Sequence, residues 1–189
     1  MQTKINQLLK NQKNAHLFYS YRGMQNYIRN TVAYILAGIK AGDSIILIEN
    51  ERMLPHLLRE LKKYLTKNEM DKIHRINNFD FYFSSGSYHP PAIFEHINNT
   101  IKPYRENNIT FRTWTHVEWS TIDGPLAIVE ELERGVDQLV SDLNLVVMCA
   151  YEEERMPESL RLTLLRTHKF ILTDDDILIS EQYIEKVEN

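Results

Sequence analysis

Apolar positions along the chain alternate between two periods. Near-continuous apolar runs at Leu17 to Ser20, Ser44 to Glu49, Phe79 to Phe83, Ile109 to Glu118 and Leu145 to Tyr151 have the length and β-branched or aromatic content of strands. The segments between them carry helical spacing. Ile28, Val32, Ile35 and Ile39 fall on one face, and Met53, Leu54, Leu57, Leu58, Leu61 and Leu65 form one stripe. Ile93, Ile97, Ile101 and Tyr104 repeat the pattern, followed by Val129, Leu132, Val136, Leu139 and Val140, and then by Leu160, Leu164 and Leu165. Strand-helix alternation of this kind predicts a three-layer α/β/α fold whose mostly parallel sheet is covered by helices on both faces. The end of the chain departs from it: Phe170-Ile-Leu-Thr, an Asp174-Asp-Asp turn and Ile177-Leu-Ile-Ser predict an antiparallel hairpin at one edge.

No Pro/Gly/Ser-rich or charged low-complexity stretch divides the 189 residues, so 15–189 reads as a single domain, preceded by a helical segment or tail over 1–14. Within that segment Ile5, Leu8 and Leu9 lie on one side, which suits a docking helix or a frayed terminus. A net charge of −4 argues against a direct nucleic-acid partner, because non-specific affinity for DNA or RNA rests on Lys and Arg neutralising phosphates. No apolar run approaches the ~20 residues that span a bilayer, and the first residues lack the apolar core of a signal peptide. A single cysteine precludes an internal disulfide; a cytoplasmic location without membrane partners is expected.

Ligands of open parallel sheets usually bind outside the carboxyl ends of the strands. The residues expected there are Arg22; Glu49 and Asn50; Ser84, Ser85, Gly86 and Tyr88; Glu118 and Trp119; and Tyr151 and Glu152, with Arg155 close behind. Aromatic surface converging with a few polar groups suits a small organic ligand. A phosphate-cradling loop is missing: Ser20-Tyr-Arg-Gly-Met-Gln follows the first strand, with one glycine and no Gly-Lys-Ser/Thr. Arg22 beside a helix N-terminus could still hold an anion. Trp114, His116 and Glu118 share one face of a strand. Two metal ligands at that spacing have no identifiable third or fourth, so neither metal nor cofactor is expected, and Glu118 is a candidate partner for Arg155. Cys149 reads as a small core hydrophobe and His168 as a helix-end residue bonding free carbonyls, both structural; Asp174 to Asp176 read as a solvated turn.

One ordered set of residues carries a family resemblance. Cys149, Tyr151 and Glu152 end a strand and are followed by Arg155, Pro157 and Leu165-Arg166-Thr167-His168; upstream stand His16, Ala41-Gly42-Asp43 and Val117-Glu118-Trp119. The set resembles the signature of MEDS domains, the methanogen/methylotroph DcmR-type sensory domains. The resemblance implies a degenerate RecA/KaiC-like core and gives Glu118 added weight. It also implies a non-catalytic sensory or regulatory domain that binds a small ligand or partner protein and signals to a transcription or kinase pathway. Two alternatives stay open. One is a divergent nucleotide-binding enzyme using Arg22 for phosphate and Glu118 or Glu152 as base; the other is a structural interaction protein, with a homo-oligomer like the ring-forming relatives of this core.

Overall fold

The computed structural model describes residues 1–12, 14–83, 85–86, 88–118 and 126–184. Its elements in chain order are α1 (Gln2–Asn11), β1 (Ala15–Tyr21), α2 (Met24–Ala41), β2 (Ser44–Glu49), α3 (Leu54–Leu61), α4 (Lys67–Met70), β3 (Ile73–Asn77) and α5 (Asn78–Tyr82). There follow α6 (Pro90–Glu106), β4 (Phe111–His116), α7 (Leu126–Leu143), β5 (Val146–Glu152), a short 3-10 turn (Glu153–Arg155), α8 (Glu158–Thr167), β6 (Phe170–Leu172) and β7 (Ile177–Ile179). The strands form one sheet of order β3-β2-β4-β5-β1-β6-β7. All pairings are parallel except β6 with β7, the C-terminal antiparallel hairpin.

One expected strand is displaced. Phe79 to Phe83, apolar enough to suggest β structure, lies largely in α5, and the third strand is Ile73–Asn77 just before it. Asn77 decides the boundary: its side-chain carbonyl accepts from the backbone N–H of Phe79 at 2.9 Å and of Asp80 at 3.4 Å, a cap that starts a helix where apolar content alone suggests a strand. β3 escapes detection because it is an edge strand with exposed His74 and Arg75, and only Ile73 and Ile76 reveal it.

The sheet carries a core on each face. Period-two alternation sends Leu17, Tyr19, Tyr21, Ile45, Leu47, Trp114, Met148 and Ala150 towards α1, α2 and α3, where Ile5 of α1 is fully buried. Phe18, Ile46, Ile48, Val147, Cys149 and Tyr151 face the other way, packing with apolar residues of α5 to α8. Helix α2 approaches the sheet closely at Gly38, where a Cβ would lie 2.6 Å from Ile45 Cδ1. It stops at Gly42, whose φ of 96° closes the C-cap, and the Arg112 guanidinium pins Asp43 of the same turn, Nε to Oδ2 at 2.9 Å. The acidic turn after β6 is docked as well as solvated: Asp174 accepts from Tyr19 Oη at 3.0 Å and Asn26 Nδ2 at 2.8 Å. Among the described residues no helix is long and apolar enough to cross a membrane.

Candidate functional site

Two buried histidine clusters occupy opposite faces of the sheet. The first lies at the carboxyl ends of β2 and β4, on the α2 side. His116 is completely buried, and its Nδ1 stands 2.5 Å from Glu49 Oε1. A carboxylate accepts, so Nδ1 carries the hydrogen, and Nε2 meets the Tyr21 hydroxyl at 2.8 Å. Glu49 also accepts from the Asn50 backbone N–H at 2.8 Å and from the Tyr27 hydroxyl, which itself accepts from Trp114 Nε1 at 2.9 Å. Glu118 extends the chain: Oε1 lies 3.8 Å from His116 Nε2, and Oε2 accepts from Asn50 Nδ2 at 2.7 Å and Asn78 Nδ2 at 2.8 Å. Burial works against the Glu118 charge, yet His116, the two amides and Arg52 outweigh it and hold the carboxyl below its ordinary range. Burial, with Glu152, Glu118 and Glu49 nearby, raises the Tyr21 phenol. Glu49 and Glu118 flank opposite ring nitrogens of His116, so the two carboxylates and this imidazole cannot converge on one ion.

The second cluster lies on the α7 and α8 side, nearer the middle of the sheet. His16 of β1, Cys149 of β5 and His168 after α8 meet Glu133, which α7 brings over the sheet. All four are buried, and the two imidazoles stack with centroids 3.8 Å apart. His168 Nδ1 faces the Leu164 carbonyl at 2.9 Å, the helix-end bond expected from sequence. His16 Nδ1 faces the Thr167 carbonyl at 3.1 Å and Asp137 Oδ1 at 3.3 Å. Glu133 Oε1 accepts from the Tyr151 hydroxyl, while Oε2 lies 3.4 Å from Nε2 of each histidine. Burial and the neighbouring His16 push His168 down to about 3, so it is neutral. On His16 burial also opposes charge, but Asp137, Cys149 and Glu133 outweigh it and raise the imidazole. Burial and Glu133 push the Cys149 thiol up to about 12.

A cavity of about 60 Å³ adjoins this cluster, lying between the sheet and helices α5, α6 and α7; Glu133 and Cys149 line both. Its remaining walls are chiefly Ile, Leu and Val side chains, with Phe81, Tyr82 and three threonines. The carboxyl-end cleft expected from sequence is much smaller: Val117, Glu118, Glu152 and Arg155 line about 10 Å³, roughly the room of one water. The expected pocket residues are thus divided. Glu118, Glu152 and Arg155 share that cleft, and the Tyr88 hydroxyl donates to the Glu118 carbonyl at its edge. Glu49 is buried within the His116 chain, Arg22 is exposed and pairs with Glu153 at 2.8 Å, and Tyr151 points to the opposite face. Trp119 and Ser84 lie outside the described residues. Glu133 and Asp137 escape sequence reading, although both fall beside the apolar stripe of α7, where a charge on a buried helix face is the available signal.

The sequence model of the MEthanogen/methylotroph, DcmR Sensory domain family, MEDS, matches residues 15–169. The chain belongs to the MEDS family. No curated protein matches this MEDS domain. Among solved structures an ATPase domain is similar to it, with a TM-score of 0.56 at 10% identity, covering 92% of this chain and 76% of that one. Likeness at that identity concerns the fold alone, and it agrees with a RecA-like α/β core. Of the residues that carry the MEDS resemblance, His16, Cys149, Tyr151 and His168 all meet at the second cluster, and Glu118 joins the first.

Proposed function

We propose that this MEDS domain is a non-catalytic sensor that admits a small, largely apolar molecule to the cavity between the sheet and helices α6 and α7. The cavity lining carries the reading: Ile46, Ile97, Leu132 and Val136 offer a dry wall, while Thr113 and Thr115 supply two hydroxyls to orient a polar end. At roughly 10–15 Å³ per water, its volume suits about four to six non-hydrogen atoms. A ligand there contacts Glu133 and Cys149 directly, so occupancy is coupled to the histidine cluster. Membership of a sensory-domain family supports the sensing role, and the output in this reading passes to a transcription or kinase pathway.

Two observations favour sensing over catalysis. Tyr21, His116 and Glu49 line up in the order of nucleophile, base and orienting acid, but burial and three carboxylates raise the Tyr21 phenol, the opposite of activation. Arg22, the candidate phosphate holder, is exposed and engaged by Glu153. The test adds xenon and n-propanol to the isotope-labelled protein and follows amide resonances. Shifts confined to cavity-lining residues, and abolished by Ile97→Phe, are expected; shifts at the Glu118 cleft, or none, defeat the reading. Nucleoside-triphosphate turnover above that of Arg22→Ala would reopen the enzyme.

A further inference from the structure

The atoms at the centre of the second cluster are arranged as ligands. The Leu164 and Thr167 carbonyls can only accept, so both Nδ1 atoms carry a hydrogen; neutral His168 then has an acceptor at Nε2, and so does His16 once a cation displaces the second proton that its neighbours help it hold. The two Nε2 atoms, Glu133 Oε2 and Cys149 Sγ all lie within 4.8 Å of one another. Neither Glu133 Oε2 nor His168 Nε2 has a hydrogen-bond partner, although both are buried. Two acceptors thus face each other at 3.4 Å with no hydrogen between them, an unfavourable contact unless a cation sits at the centre.

We propose that His16, Glu133, Cys149 and His168 bind one divalent transition metal ion of the zinc type. Three of the six edges already fit a tetrahedron, and the two stacked imidazoles, with centroids 3.8 Å apart, splay to bring both Nε2 atoms onto one ion. With metal–nitrogen and metal–oxygen bonds of about 2.0–2.1 Å and metal–sulfur of about 2.3 Å, N···O edges come to about 3.3 Å and N···S edges to about 3.6 Å. The observed values are 3.4 Å from Glu133 Oε2 to each Nε2 and 3.6 Å from Cys149 Sγ to His16 Nε2. The ligand charges balance as well: a thiolate and a carboxylate neutralise a divalent ion, which leaves Asp137, bonded to His16 Nδ1, as the remaining buried carboxylate. The outer contacts are those of metal-bound histidines, with backbone carbonyls and Asp137 orienting the rings and Tyr151 holding the second Glu133 oxygen.

The test is independent of the cavity. The full chain is unfolded with chelator, refolded with cobalt(II), desalted, and examined by elemental analysis and absorbance. One cobalt per chain, the strong visible bands of a tetrahedral ion and a sulfur-to-cobalt charge-transfer band are expected, all displaced by zinc. Cys149→Ser should abolish the charge-transfer band, and Asp137→Asn should weaken binding about 10- to 100-fold. Native circular dichroism without retained cobalt, or bound cobalt with no sulfur band, overturns the site and leaves a proton at its centre. If the serine variant does not fold, the wild-type band decides, because this chain has a single cysteine to produce it.

Discussion

The two histidine clusters have equally buried centres, His116 and His168, but are differently completed. Around His116 every ring nitrogen and both Glu49 oxygens have partners within the chain, so that side closes on itself. Around His168 a carboxylate oxygen and a ring nitrogen remain unpartnered beside a cavity. A satisfied buried network rigidifies a fold, and an incomplete one is a place to bind something. The first cluster ties β2 and β4 to α2, and the second holds the groups that a ligand or ion would engage.

Breaking the closed cluster should have the largest effect. His116→Ala leaves the Glu49 carboxylate buried without its imidazole, and a loss of about 3–5 kcal/mol in urea unfolding is expected. The contrast is sharper with amides. Glu49→Gln places an amide donor among existing donors and should cost about 1–3 kcal/mol, whereas Glu133→Gln keeps an oxygen for Tyr151 and gives His168 Nε2 a donor. In chelator-treated protein, Glu133→Gln should therefore cost under about 1 kcal/mol. Equal losses would show that the clusters do not differ in completeness.

Sequence pattern reveals the sheet, both helical layers and the hairpin because burial on alternate faces imposes period two on central strands and 3.6 on the helices covering them. It loses β3, whose edge position removes the apolar signature, and misreads α5, where the local cap at Asn77 overrides apolar content. The candidate site is half legible. His16, Cys149 and His168 stand out as residues but read as structural, since their meeting requires the β1–β5 and β1–β6 pairings and a helix from between β4 and β5. Glu133 is the missing member, and only tertiary packing shows that its place on α7 faces three residues far away in sequence. Tyr151 points away from the carboxyl-end rim because its strand register sends Cys149 and Tyr151 to the α7 face together.

A smaller effect probes the cavity without touching either cluster. Thr113 Oγ1 is buried and unpartnered in its wall, so Thr113→Val, close to isosteric, should raise stability by about 1 kcal/mol in urea unfolding. A loss instead would mean that the hydroxyl is bonded in solution and the cavity is wetter than its lining suggests.

The smallest expected effect separates the rim of the closed cluster from its interior by pH. Glu118 is only 23% exposed, and its carboxyl sits below the ordinary range because His116, Asn50, Asn78 and Arg52 together outweigh burial. A carboxyl depressed in the folded state stabilises fully above its unfolded value of about 4.3, and the contribution disappears as pH falls through the lower folded value. The stability difference between wild type and Glu118→Gln should therefore stay constant from neutral pH to about 5 and shrink below about 4.3. Urea midpoints at a series of pH values measure it. A difference that widens on acidification would reverse the sign, placing burial above the amides and leaving the rim of the first cluster as incomplete as the centre of the second.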